Sequence, residues 1–281
     1  MQRYGCRSTQ KLGEVGNCGV NHVLFLFDVM KTVFKIIAAY IVIQLSVTFL
    51  ITVPFTLLFP GKENTCFVLL SMLTGNILIL IYLWKFGYIG TKRYLWFPVP
   101  ARCLLLSVLI IFPAIFLLDY LLSCLAWLPD IMKQEFDRIQ SEWFGIVLIT
   151  IIGPVFEEIL FRGTITKILL NHYSPTKALL ISALLFGVIH INPVQILGAG
   201  LIGLLLAWIY YKTASLLPCL IIHIINNSTS VFLGKIYPGV NYLKDIMSEN
   251  VYSVLLVLSL ILLTGICWQW GKQRPPVNWI V

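Results

Sequence analysis

The sequence predicts an all-α polytopic membrane protein with about eight transmembrane helices in one bundle. Hydrophobic residues make up 59% of the 281 residues, and charged residues only 11%. The mean hydropathy is +0.90. A soluble domain needs more charge than this to cover its surface, so the composition indicates a chain that is largely surrounded by lipid.

Eight apolar segments are close to the length of a spanning helix, which needs about 20 mostly apolar residues. They lie at residues 35–59, 65–86, 103–127, 143–169, 177–192, 195–211, 214–233 and 251–269. Clusters of Gly, Pro, Asn and charged residues separate them, as is typical of loops. The fifth and sixth segments are short and their boundary is tight, so a count of seven stays open.

The segments divide the chain into three parts. Residues 1–140 hold a polar N-terminal segment and the first three helices, residues 141–235 hold four helices with unusual polar side chains, and residues 236–281 hold the last helix. The first thirty residues lack the short apolar core and small-residue cleavage site of a signal peptide. We therefore expect one helical bundle without a cleaved leader or a separate soluble domain.

The net charge of +8 does not indicate nucleic-acid binding, because no basic stripe with interleaved aromatic residues is present. In the eight-helix topology most of the 20 Lys and Arg residues fall on the side that holds both termini. This bias predicts a multi-pass protein of the cell membrane with both termini in the cytoplasm. The seven cysteines are scattered without a C-x-x-C pair, which disfavours a disulfide framework and a thiolate zinc site.

The fourth segment contains Glu157, Glu158 and Arg162. Ionisable side chains inside a membrane span are costly and usually mark a partner, a pathway or a reaction centre. Glu158 and Arg162 are four residues apart, so they share a helix face and can pair. Glu157 is rotated by about 100° and can face a different cavity. A buried carboxylate near a guanidinium suits a general base.

Further polar residues occur at compatible depths in two other segments. His190 ends the fifth segment, and His223 and Asn227 lie at i and i+4 in the seventh. Counted along the helices, Glu157 and His190 both lie about 20 Å from the turn that joins their segments, and His223 about 15 Å from its own turn on that side. The three helices can therefore converge on one layer, nearer the outer half of the membrane.

Each feature alone has an ordinary structural explanation. A Glu–Arg pair can be a structural lock or part of a transport pathway, and a lone membrane histidine usually bonds to a neighbouring helix. Other proteolytic chemistries lack support, because no G-x-S-G element is present and Asp119 is the one aspartate well within a span. The coincidence of all three polar groups favours catalysis, with Asp119 in a structural role.

Three motifs occur in order: E-E-x-x-x-R (Glu157, Glu158, Arg162), F-x-x-x-H (Phe186, His190) and H-x-x-x-N (His223, Asn227). Together they resemble the CPBP family of intramembrane proteases. That family includes the type II CAAX prenyl endoprotease and bacterial abortive-infection and bacteriocin-immunity proteins. The resemblance covers roughly residues 140–235 and marks residues 141–235 as a CPBP-like catalytic core; each motif alone is weak, and the three in order are specific.

The resemblance implies an intramembrane endopeptidase that cleaves a membrane-associated, prenylated or leader peptide. It implies that Glu157 activates the hydrolytic water with His190 beside it, and that His223 and Asn227 stabilise the oxyanion. It implies supporting roles for three further residues: Glu158, Arg162 and Phe186. The expected partners are a peptide or membrane-protein substrate and the lipid bilayer.

The use of a metal stays open at this point. Glu157, His190 and His223 could form a zinc site with an open position, as the metalloprotease label of such proteins suggests. The absence of H-E-x-x-H favours a metal-free glutamate mechanism instead. Two other classes remain as alternatives: a non-catalytic immunity or regulatory scaffold, and a small transporter, which the lack of an internal repeat disfavours.

Overall fold

The computed structural model describes residues 14–60, 64–89 and 97–279, with the backbone alone for residues 14–25. The described residues form nine helices and no strand. The helices are α1 (Glu14–Leu58), α2 (Thr65–Lys85), α3 (Ala101–Cys124), α4 (Lys133–Ser141), α5 (Trp143–Leu170), α6 (Pro175–Val188), α7 (Pro193–Thr213), α8 (Leu216–Ile236) and α9 (Glu249–Gly271).

Seven helices in the described part of the chain are long and apolar enough to cross a membrane. The eighth apolar helix, α6, has 14 residues and is therefore about 21 Å long. The short, polar helix α4 lies between α3 and α5. The prediction of an all-α polytopic membrane protein is confirmed, with the fifth segment shorter than the predicted 177–192.

Helices α6 and α7 form a tight antiparallel hairpin that depends on glycine. A Cβ atom on Gly187 would lie 2.5 Å from the carbonyl oxygen of Ile196 and 3.2 Å from the Cα of Gly200. Such close approach of two backbones is typical of helix pairs in membranes. Lipid provides no hydrophobic driving force between helices, so they associate through close packing, which small residues allow. The hairpin fixes α7 against the helix that carries Phe186.

One end of the bundle holds contacts to Leu26 on α1 and to Trp279 near the C-terminal end of the described chain, and we call it the termini end. The Tyr173 hydroxyl, between α5 and α6, donates a hydrogen bond to the Leu26 carbonyl, twelve residues into α1. Trp279 Nε1 donates to the Tyr211 carbonyl near the end of α7. These contacts fit an even number of crossings in which α6 counts as one.

The opposite end, which we call the distal end, is closed by contacts between its own loops. The side chain of Asn192, between α6 and α7, bonds to Asp130 and Ile131, which follow α3. Asp119, near the end of α3, accepts hydrogen bonds from the Leu243 N–H and from a hydroxyl on α9. Asp119 therefore has the structural role that we expected.

Candidate active site

The buried carboxylate of the site is Glu158 on α5. Arg162 Nη1 donates to Glu158 Oε1 at 2.9 Å, and both side chains are fully buried. Arg162 Nη2 donates to the Gly203 carbonyl on α7 at 3.0 Å. The predicted Glu158–Arg162 pair is confirmed, and the guanidinium also ties α5 to α7.

His223 on α8 joins the same pair from the other side. Its Nδ1 lies 2.7 Å from Glu158 Oε1, so the carboxylate accepts two charge-assisted hydrogen bonds on one oxygen. Because a carboxylate oxygen is an acceptor, Nδ1 carries the proton in this contact. The ring then presents Nε2 to Glu157, whose Oε2 is 3.7 Å away.

Glu157 differs from its neighbour in both exposure and pairing. Its side chain is 28% exposed, whereas that of Glu158 is 0% exposed. Within the described residues, Glu157 Oε2 has no hydrogen-bond partner. A gap of 3.7 Å is too long for a direct hydrogen bond and is a spacing that one bridging water can fill. The prediction that the two glutamates face different surroundings is confirmed.

Phe186 on α6 is the packing centre of the site. Its buried ring makes edge contacts with the rings of His190 and His223, at centroid distances of 5.1 and 5.8 Å. The Arg162 Cζ lies 4.4 Å from the Phe186 centroid, a cation–π geometry. A Cβ on Gly203 would come within 2.7 Å of this ring, so glycine makes room for it. One phenyl ring thereby sets the spacing of both imidazoles.

His190 lies just beyond the last residue of α6. Its Nδ1 is 2.8 Å from the Phe186 carbonyl, one of the carbonyls that a helix end leaves without a backbone partner. This contact directs Nε2 away from the helix. Among the described contacts, the histidine beside Glu157 is His223, whereas His190 reaches the site through Phe186.

Asn227 fills a gap that Pro154 creates in α5. Residues Leu148–Ile152 form a π-helical turn, and Pro154 has no N–H to offer the Ile149 carbonyl in that spacing. Asn227 Nδ2 donates to this carbonyl at 2.9 Å, and its Oδ1 accepts from Asn226. The described contacts use one of the two N–H groups of the Asn227 amide.

Three participants were not predicted from the sequence: Gly203, Asn226 and the Ile149 carbonyl. The sequence could have indicated the Ile149 carbonyl, because a proline inside an apolar helix leaves one backbone carbonyl without its usual N–H donor. Asn226 could have been noticed because two adjacent asparagines are unusual in a membrane span. No sequence pattern marks Gly203, because its importance comes from contacts with Phe186 and Arg162 on other helices.

The described residues contain no group of three or more His, Cys, Asp or Glu side chains arranged to hold a metal. The alternative zinc ligands Glu157, His190 and His223 therefore do not form such a group. The Nδ1 atom of His190 contacts the Phe186 carbonyl and that of His223 contacts Glu158 Oε1, while Nε2 of His223 lies 3.7 Å from Glu157 Oε2.

The part of the chain that contains the candidate site is similar to known proteins. Residues 139–229 match a family model described as "Type II CAAX prenyl endopeptidase Rce1-like". A Bacillus subtilis (strain 168) protein named "Putative membrane peptidase YdiL" is 32% identical over 109 residues, which are 39% of this chain and 44% of that protein. The matching segment is thus less than half of the curated relative. No solved structure matches the chain.

The matched residues contain the polar parts of α5, α6 and α8 that form the site, together with α7 between them. They coincide with the region of the three motifs, so the family resemblance is confirmed there. Over this four-helix core of a multi-pass membrane protein, the chain is similar to the Rce1-like type II CAAX prenyl endopeptidases and to the curated Bacillus subtilis relative.

Proposed function

We propose that the protein is an intramembrane endopeptidase in which Glu157 and His223 hold and activate a water molecule. The observation that carries this proposal is the 3.7 Å gap between Glu157 Oε2 and His223 Nε2. The Glu157 side chain is partly exposed, whereas its Oε2 is buried and has no hydrogen-bond partner in the described chain. Two acceptors at this spacing orient a water molecule for attack.

In the proposed reaction the water oxygen attacks the carbonyl carbon of the substrate while Glu157 takes one proton. The new C–O bond leaves negative charge on the former carbonyl oxygen, and the second N–H of Asn227 donates to it. Glu157 then passes the proton to the leaving nitrogen as the C–N bond breaks. A positioned base contributes about 10²–10⁴-fold to such a step, and one oxyanion donor about 10²–10³-fold.

Glu158 and Arg162 act through His223 in this scheme. Glu158 keeps Nδ1 of His223 protonated and Nε2 directed at the water. Arg162 holds the Glu158 carboxylate in place through its 2.9 Å contact, and Phe186 packs against the His223 ring. His190, whose Nε2 has no hydrogen-bond partner among the described contacts, assists proton transfer to the leaving amine.

The proposed mechanism uses no metal ion. Purified protein should carry less than stoichiometric zinc by elemental mass spectrometry, and strong chelators should leave cleavage unchanged. Zinc at one ion per chain, lost together with activity on chelation and restored with it, would replace this mechanism with a metal-dependent one.

The proposed substrate is a membrane-anchored peptide, such as a prenylated or leader peptide. Glu157 lies about 20 Å from each end of the 28-residue α5, so the cleaved bond must reach the middle of the helix. This depth is midway along α5 rather than clearly in the outer half, because α5 is longer than a minimal span. The Lys and Arg bias supports cytoplasmic termini, which reporter fusions at both ends would test.

The central experiment compares wild type with Glu157→Gln in proteoliposomes. Probes are a farnesylated CAAX peptide, a leader peptide and solubilised membrane proteins whose new N-termini are labelled and identified by mass spectrometry. Wild type should produce specific new N-termini, and Glu157→Gln should not. The matched control is Asp28→Asn, which changes an exposed carboxylate at the termini end. Equal cleavage by Glu157→Gln and wild type would refute the proposal.

A further inference from the structure

The turn that follows His190 has an unusual backbone conformation. Ile191 has a φ of +63°, a left-handed conformation that a β-branched residue rarely adopts. Such a conformation is strained and persists only where its surroundings enforce it. Ile191 is 72% exposed, so its own side chain contributes little to holding this conformation.

The neighbouring Asn192 supplies the missing constraint. Its side chain is fully buried, in a loop at the distal end. The Nδ2 group donates to Asp130 Oδ1 at 2.8 Å, and Oδ1 accepts the Ile131 N–H at 3.0 Å. We call these two bonds the Asn192 clamp. It joins the turn after His190 to a loop about sixty residues earlier.

The clamp and the histidine share one short piece of backbone. The Asn192 N–H donates to the His190 carbonyl at 2.6 Å, and the Asn192 carbonyl accepts the Ile196 N–H as α7 begins. His190 itself has one described hydrogen bond from its ring, to the Phe186 carbonyl. The direction of Nε2 is therefore set by the backbone turn that the clamp holds.

We propose that Asn192 is a positioning residue that holds the His190 imidazole in place for the reaction, through its clamp to Asp130 and Ile131. This inference rests on the proposed function. An amide is required because one side chain must donate to a carboxylate and accept from an N–H at the same time. A carboxyl group at position 192 would face the Asp130 carboxylate, and both would be acceptors.

The chain allows a swap experiment that a general loss of stability cannot imitate. Asn192→Asp should reduce kcat by about 10- to 100-fold with KM within about twofold, because small misplacements of catalytic groups have effects of this size. In the double variant N192D/D130N the amide at position 130 donates to the carboxylate at position 192, whose other oxygen accepts the Ile131 N–H. Its kcat should return to within about threefold of wild type.

A second readout does not depend on cleavage. The rate at which diethyl pyrocarbonate modifies the His190 ring, followed by mass spectrometry, should rise several-fold in Asn192→Asp and return to the wild-type rate in the double variant. Asn241→Ala is the matched control, since it removes an exposed asparagine hydrogen bond at the same end. It should change neither readout.

The outcomes separate this inference from the proposed function. If wild type and Glu157→Gln cleave equally, the endopeptidase proposal fails, and the modification rates still test whether the clamp holds His190. If Asn192→Asp matches wild type in both readouts, or the swap restores neither, Asn192 does not position His190 and the inference is wrong.

Discussion

Two adjacent residues of α5, Glu157 and Glu158, belong to regions of opposite character. Glu158 lies in a fully buried polar region with Arg162 and His223, where its Oε1 accepts two hydrogen bonds. The Glu157 side chain is partly exposed, and its Oε2 lies 3.7 Å from His223 Nε2. The difference teaches that Glu158 joins the helices through its partners, whereas Glu157 is the carboxylate to which we assign the proposed chemistry.

The largest expected effect is on the buried side. Arg162→Gln leaves the Glu158 carboxylate buried without its guanidinium, which should reduce the free energy of unfolding by about 3–5 kcal/mol. Thermal or denaturant unfolding in detergent would measure it. Arg102→Gln, which removes an exposed hydrogen bond to Gln269, is the control and should shift stability by less than about 0.5 kcal/mol. Similar losses in both variants would contradict the comparison.

A smaller loss of unfolding free energy should follow from adding one methyl group at Gly203, next to the buried region. In Gly203→Ala the new Cβ would lie 2.7 Å from the Phe186 ring and 3.4 Å from Arg162 Nη2. Overpacking of this kind destabilises by about 1–3 kcal/mol. Gly265→Ala on α9 has nothing within 4 Å of its Cβ and should be neutral or slightly stabilising in the same unfolding assay. If Gly265→Ala proved more destabilising than Gly203→Ala, the Phe186 ring would be able to shift at little cost, which would contradict this prediction.

Asn227 on α8 contributes to both stability and the proposed reaction, so its substitution tests how the buried and the partly open regions are connected. Asn227→Leu leaves the Ile149 carbonyl without its donor, which should cost about 1–3 kcal/mol of unfolding free energy. It should also lower kcat, since the proposed oxyanion donor is lost. Asn226→Ala removes only a contact to Asn227 and should have the smaller effect on both. If Asn226→Ala proves the more damaging, Asn227 does not have the role that we assign.

The smallest expected change in stability is on the open side. Glu157→Gln should alter the unfolding free energy by less than about 0.5 kcal/mol, as substitutions away from buried networks usually do. Glu158→Gln should cost several times more, because it weakens two charge-assisted hydrogen bonds. Equal melting shifts for the two variants would show that both glutamates are structural.

Much of this fold was predictable because its rules are local. Lipid requires long apolar helices, so α2, α3 and α9 followed from composition alone. The Glu158–Arg162 pair followed from a spacing of four residues on one helix. Their rotation relative to Glu157 followed from the 3.6-residue turn.

Contacts between helices were beyond the reach of these rules. The Glu158–His223 hydrogen bond joins residues 65 positions apart, and no spacing indicates which oxygen His223 meets. The early end of α6 depends on Ile191 and on the Asn192 clamp, which only the folded chain assembles. The resemblance predicted the residues of the candidate site, and the structure shows which groups they contact.

The π-helical turns of α5 have a consequence for insertions and deletions. Leu148–Ile152 and Phe161–Thr166 each hold wider turns, so the eight residues between them have a rotational phase of their own. Removing one residue from the first of these turns would restore α spacing and rotate one side of the cut by about 100° relative to the other. Either Ile149 would turn away from Asn227, or Glu157 would turn away from His223. The residue count of this helix therefore determines the direction of its glutamates as well as its reach.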